Sequence, residues 1–517
     1  MKYLKTFENH SQYETYTADT TNFFKPNISL CIHENEVHFS QSTQIELTVK
    51  YLPDEEGDYD IYPTKLFDSE SSFINDIESM KIDGVKQQEI VYEHIFGDEN
   101  EHTVIYTLKD SVSGICNKAF YDCNRITEVV IPSRVTSVGK QSFYGCDILS
   151  NVTIPNSVVI IGGFAFNNTL WYESYSADTS HIYNNIIYIN DVAYESIDYS
   201  ATSVAFRAGT ISITDWAFQG HTGLTSVVMP DSVISIGESS FSTCYSLSSC
   251  TIGNGVISIG DSAFYNCYKL TSINIPSGTT SIGENAFHGC YVISNITVDS
   301  NNSTYDSRNN CNAIIETSTN TLLLGSCNTI IPNTVRIIDD FAFFSRRCLT
   351  SITIPNGVIS IGKQSFSYCS GLTSVEISDS VTFIDGSAFG DCKNLTSVTL
   401  GSGITSISDS VFYGCLTLTS ITIPDSITTI GLNAFRNCNK LTSIDIPSGV
   451  TSIDNGAFYN CTGFTSVTIE ATTPPTLGTN VFNNTNNCPI YVPSGSVDSY
   501  KAASGWSAYA SRIRAIS

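Results

Sequence analysis

Leu418-Thr419-Ser420-Ile421-Thr422-Ile423-Pro424-Asp425-Ser426-Ile427-Thr428-Thr429-Ile430-Gly431-Leu432-Asn433-Ala434-Phe435-Arg436-Asn437-Cys438 is the stretch from which the rest of the chain can be read. Ile421 and Ile423 alternate with Ser420 and Thr422, the period of two expected of a half-buried strand. Pro424 has no N–H for a ladder and stops that strand. Ile427 and Ile430 form a second short apolar stretch closed by Gly431. Ala434, Phe435 and Cys438 then offer small and large apolar groups to an interior.

The same order recurs along most of the 517 residues. Phenylalanines stand 23 residues apart at 120, 143 and 166, at 218, 241, 264 and 287, and at 343, 366, 389, 412, 435 and 458, with Phe482 following. In ten of these units a cysteine lies three residues after the Phe, so the cysteines mark a repeat more than a disulfide framework. The two longer gaps, 166 to 218 and 287 to 343, each hold one modified coil. A 23-residue unit cannot bury its apolar face alone, whereas stacked units bury it against each other, so the fold expected is a mainly β solenoid.

LTSITIPDSITTIGLNAFRNC resembles the BspA-type leucine-rich repeat, in its strand, Pro stop, Val/Ile-Gly turn and Ala-Phe-x-x-Cys at fixed offsets. The resemblance covers residues 111–470. It implies a leucine-rich-repeat solenoid, and an adhesion or matrix-binding role of the kind described for surface proteins of gut anaerobes and some parasitic protists.

Residues 1–110 precede the repeat and carry alternating runs such as Ile45-Glu46-Leu47-Thr48-Val49 and His102-Thr103-Val104-Ile105-Tyr106, which predict a β-rich region of one module or of two, 1–50 and 51–110. Its Ile-Asp-Gly and Glu-His-Thr-Val-Ile-Tyr-Thr-Leu pieces, and Lys25 to His33, resemble modules that precede such repeats in proteins of gut bacteria and their phages. The net charge of −25 is concentrated here, with 22 acids against 8 bases. Two modified coils, 169–200 and 300–325, read as protruding β-hairpins, the second turning at Ser318-Thr319-Asn320. Residues 471–517 predict a cap, with one last strand at Cys488–Pro493 and a helix over Val497–Ile516, whose Trp506, Tyr509 and Ile513 recur at helical spacing.

The acidic balance disfavours nucleic acid and anionic lipid, which call for a Lys/Arg footprint. No run is long and apolar enough for a membrane helix or a secretory leader, so the expected location is a cell surface reached without that leader, or a phage particle, with the cytoplasm still open. No nucleophile elbow, phosphate loop or zinc helix occurs, and neither enzymatic activity nor a cofactor is expected. His33 and His38 lack a third ligand and read as solvated. The loop Asp54-Glu55-Glu56-Gly57-Asp58-Tyr59-Asp60 could hold calcium but lacks the EF-hand spacing. The repeat cysteines read as buried, inert thiols, while Cys311 and Cys327 flank the second hairpin and could pair.

Two columns of outward residues remain on the strand face, Ser351, Ser374, Ser397, Ser420 and Ser443 beside Thr353, Glu376, Thr399, Thr422 and Asp445. Hydroxyl columns suit a protein or glycan partner. They also serve solubility and β-propensity with little charge, and Glu376 and Asp445 interrupt the Thr array that an ice-binding surface needs. Trp171, Tyr172, Tyr175, Tyr305 and Arg308 are the candidate contacts in the modified coils. Two functions compete: a non-enzymatic recognition or adhesion protein, and a virion structural or decoration protein anchored by residues 1–110. Oligomeric state is not legible.

Overall fold

A computed structural model describes residues 45–52, 64–65, 67, 71–96, 98 and 100–516. Residues 1–44, with His33 and His38, and the acidic loop 54–60 lie outside the described residues. The chain forms two compact units, Met1–Thr179 and Ser180–Ser517.

In the first unit a six-stranded sheet runs in the order Asn151–Thr153, Ile126–Val130, Ile45–Tyr51, His102–Leu108, Ile77–Ile82, Val85–Lys86. Ile45–Tyr51 is antiparallel to both neighbours, so the segment before the repeat supplies a partner for the first repeat strand, Ile126–Val130. Inward residues alternate as the sequence implies, with Ile45, Leu47, Val49 and Tyr51 buried. Tyr106 and Phe73 pack against Phe120, closing the near end of the Phe stack.

The second unit repeats one coil many times. Coils have a first strand of two to four residues and a two-residue second strand, and within each sheet these pair in parallel with counterparts 23 residues away, as in Ser351↔Ser374↔Ser397↔Ser420 and Ser406↔Thr429↔Ser452. Parallel stacking in register is what an identical period demands. The phenylalanines stack face to face, with centroids 4.7–5.8 Å apart and planes within 18°. Full burial of each ring is worth roughly 1.5–3 kcal/mol.

Three local readings are corrected. Residues 169–200 are not simply a hairpin, because Leu170–Ala177 is a helix whose N-cap Thr169 accepts from the Tyr172 N–H. A hairpin follows in the second unit, Ile186–Ile189 against Val192–Ser196. The tail helix spans only Val497–Ala502. Trp506–Tyr509 is a short 3-10 turn, and Ile513–Ala515 is a further strand paired with Ile490–Val492. Tertiary partners outweigh helical spacing there: the indole of Trp506 donates to Pro475 O at 2.7 Å, and Trp506 and Tyr509 cover Phe482, the end of the stack. Finally, Cys327 pairs with Cys348 and not with Cys311, which is free and buried.

Candidate functional site

On the first-strand face Ser351, Ser374, Ser397 and Ser420 pair in register, as do Thr353, Glu376 and Thr399, while Ser443 and Asp445 lie in a separate sheet and Thr422 follows its strand. Ile352, Val375, Val398 and Ile421 point inward and are buried, which turns their neighbours outward. Ser351, Thr353, Glu376, Ser397, Thr399, Ser420, Thr422, Ser443 and Asp445 are exposed and Ser374 is half-buried. Among the described residues, no group of the chain hydrogen-bonds any of these ten side chains. The preceding threonines behave differently: the hydroxyls of Thr373, Thr396, Thr419, Thr442 and Thr465 each donate to the carbonyl one coil back, at 2.9–3.4 Å. One Thr column is therefore part of the scaffold, and the outward columns are left for solvent or a partner.

The insert residues are placed elsewhere. Both inserts extend the sheets of short second strands, through Val192–Ser196 beside Ser212–Ile213 and Thr321–Gly325 beside Ile337–Ile338. Tyr172 and Tyr305 are buried, which removes them as surface contacts. The Tyr305 hydroxyl accepts from the Ile282 N–H and donates to Thr280 O. Half-buried Trp171 lies 4.9 Å from Phe166 and 4.7 Å from Tyr175, so the helix covers the far end of the first unit's Phe stack. Arg308 is tied to the Asp306 carboxylate and to Asn320 Oδ1. Aromatic composition suggested contacts, but Tyr172 and Tyr305 are interior and Trp171 packs on Phe166.

The cysteine column does more than pack. Each thiol from Cys146 to Cys461 in the regular coils donates to the carbonyl of the Phe one coil back, at 3.0–3.3 Å. These are weak donors, each adding a second bond to a carbonyl that already accepts a backbone N–H of its own coil, as Phe412 O does from Cys415 N–H. Burial pushes Cys244, Cys369 and Cys461 up to about 12, so they are neutral and unreactive at physiological pH. Where coils are irregular the column changes: Thr169 and Thr485 donate to the carbonyls of Phe166 and Phe482. His221 meets Ser196 Oγ at 3.0 Å, and Arg346 reaches across the second insert.

Sequence reasoning missed an aromatic strip, although Cys-Tyr repeated in three successive units was its signal. Tyr245, Tyr268 and Tyr291 stack 4.7–4.8 Å apart, and the Arg347 guanidinium lies 4.1 Å from the Tyr291 centroid. Beside it Tyr265, His288 and Phe344 form a second stack. Burial, then the nearby Arg346 charge, lowers His288 to about 4. A histidine kept neutral this way withdraws stability as pH falls from about 6.5 to 4, where the unfolded chain takes up a proton that the folded one refuses. Asp339, raised to about 6 by burial first, acts oppositely over pH 6 to 4. The urea midpoint of His288→Gln is therefore expected to fall less than that of the parent between pH 7 and 4.5; equal losses would contradict the buried neutral imidazole.

Among the described residues there is no cluster of metal-ligating side chains, and no helix is long and apolar enough to cross a membrane. The profile of the BspA type leucine-rich repeat region matches residues 89–198, 187–314, 325–442 and 428–504. The chain belongs to the BspA-type leucine-rich repeat family. Solved structures similar to this BspA-type chain include a leucine-rich cell surface protein from Faecalibacterium prausnitzii (29% identity, 71% of this chain and 84% of that one, TM-score 0.40). A leucine-rich repeat protein from Bacteroides ovatus is 24% identical over 82% of this chain and 90% of its own, with TM-score 0.44. The pneumococcal vaccine antigen PcpA is 16% identical over 79% and 89%, with TM-score 0.45. No curated protein matches the BspA-type chain.

Proposed function

We propose that this chain is a non-enzymatic recognition protein that holds a protein or glycan partner on a cell surface, through the first-strand face. The observation that carries this reading is the set of outward Ser, Thr, Glu and Asp side chains, aligned coil on coil and spent on no hydrogen bond of the chain itself. A rigid scaffold that aligns free hydroxyls at one strand spacing, about 4.8 Å, gives a repeating partner many weak polar contacts at little ordering cost. Membership of a repeat family whose proteins are associated with adhesion supports it. Binding of the full chain to intact cells, read by flow cytometry, is expected to fall at least tenfold when Thr399 and Thr422 are replaced together by Lys, with the melting curve unchanged. Undiminished binding would place the contact on another face.

A further inference from the structure

Residues two before Phe435, Phe458 and Phe482, and one after Phe435 and Phe458, border a hollow. Between residues 432 and 480 this hollow measures about 360 Å³ and is lined by Asn433, Arg436, Asn455, Gly456, Tyr459 and Asn480, with Leu432 and Thr479 at its margin. That volume falls within the range of small-ligand sites, about 300–1,000 Å³. Gly456 forms part of the floor: its φ is +61°, and a Cβ there would come within 2.6 Å of Asn433 Oδ1.

The lining is rich in idle donors. Arg436 carries five N–H groups, yet its one hydrogen bond is from Nη1 to Asn433 Oδ1, at 3.4 Å. Its Nε is buried without a partner, the Tyr459 ring holds the guanidinium 4.6 Å from its centroid, and no carboxylate of the described residues pairs with it. The acceptors of the neighbouring amides are occupied: Asn455 Oδ1 accepts from Thr479, and Asn480 Oδ1 from Asn483. Their Nδ2 groups, with that of Asn433, remain open. A protein of net charge −25 thus keeps an uncompensated cation and three amide donors in one hollow. The equivalent hollow at residues 364–413 has no cation and contains Asp391, whose charge raises the Tyr368 phenol beside it, so the donor-rich character is not common to all coils.

We propose that this hollow binds an acidic sugar of a glycan, a hexuronate unit whose carboxylate meets Arg436 and whose hydroxyls accept from Asn433, Asn455 and Asn480. The donors come from three coils, about 10 Å end to end at two strand spacings, which is longer than a simple inorganic anion and matches a ring with its neighbour. The site is separate from the first-strand face and does not depend on it.

Isothermal titration of the full chain with digalacturonate and with a glucuronate-containing hyaluronan disaccharide tests the assignment. At least one is expected to bind, its methyl ester at least tenfold more weakly, and acetate at equal concentration is expected not to compete. Arg436→Gln, and separately Asn480→Asp, which keeps a residue tolerant of the +59° φ, are each expected to weaken binding at least tenfold with unchanged melting. Replacing Thr399 and Thr422 with Lys is expected to leave it intact. Failure of both uronates, equal binding of the ester, competition by acetate, or insensitivity to both hollow variants would each overturn the proposal.

Discussion

Arg346→Ala is expected to destabilise the second unit by about 2–5 kcal/mol, from buried carbonyls left without a donor and the void that the side chain leaves. Arg346 is 1% exposed and occupies the place in its coil that cysteine holds in regular ones. Its Nε donates to Gly325 O at 2.8 Å and Nη1 to Cys290 O at 2.8 Å, 21 and 56 residues away in sequence. Truncation leaves both carbonyls unpaired, at about 1–3 kcal/mol each, and opens a side-chain-sized void. Gly325 cannot move in to fill it, because it already lies against the Phe343 ring. Arg346→Lys should recover less than half of the loss, since an ammonium cannot span two carbonyls as the guanidinium fork does. Urea unfolding reads the total, and amide exchange near residues 290, 325 and 343 reads its location. A loss below 1 kcal/mol for Arg346→Ala would show that the two carbonyls find other donors.

Phe412→Ala is expected to cost about 3–5 kcal/mol, the range for removing a buried aromatic ring. Phe412 is 1% exposed and lies 5.8 Å from Phe389 and 5.4 Å from Phe435, centroid to centroid. Its backbone also serves the ladder, with its N–H donating to Ala434 O and its carbonyl accepting from the Cys438 thiol. Neighbouring rings are fixed by their own coils and cannot close the gap, so the void persists. Because each coil touches mainly its neighbours, faster exchange should centre on residues 389–435 and fade outward. Phe412→Leu should cost about 1–1.5 kcal/mol by keeping most of the volume. Uniformly faster exchange over the whole unit would argue against nearest-neighbour coupling.

Much of the fold was legible because its determinants are local and repeated. Ile421 and Ile423 alternating with polar residues, Pro424 as a stop and Phe435 at a 23-residue period identify the coil. The period then says what each coil packs against, namely a copy of itself. The outward columns followed from the same alternation, since an inward Ile352 or Val398 turns Ser351 and Thr399 out. Hydrogen bonding was less visible: the Thr373 and Ser374 hydroxyls look alike in sequence, but Thr373 bonds a carbonyl of the previous coil and Ser374 bonds nothing in the chain.

By itself, then, the sequence determined the coil, its stacking and which strand residues face inward, because a periodic pattern can satisfy its apolar groups only in register. Only the tertiary structure decided what happens where the period breaks. It buried Tyr172 and Tyr305, joined Cys327 to Cys348, shortened the tail helix to let Ile513–Ala515 pair, and set Arg346 between carbonyls of two distant segments. The hollow around Arg436 lies within successive coils instead, and its donors come from three of them, so no single 23-residue unit contains it. Where the period breaks, a side chain's partner is chosen by proximity across coils, and the spacing of residues along the chain carries no record of it.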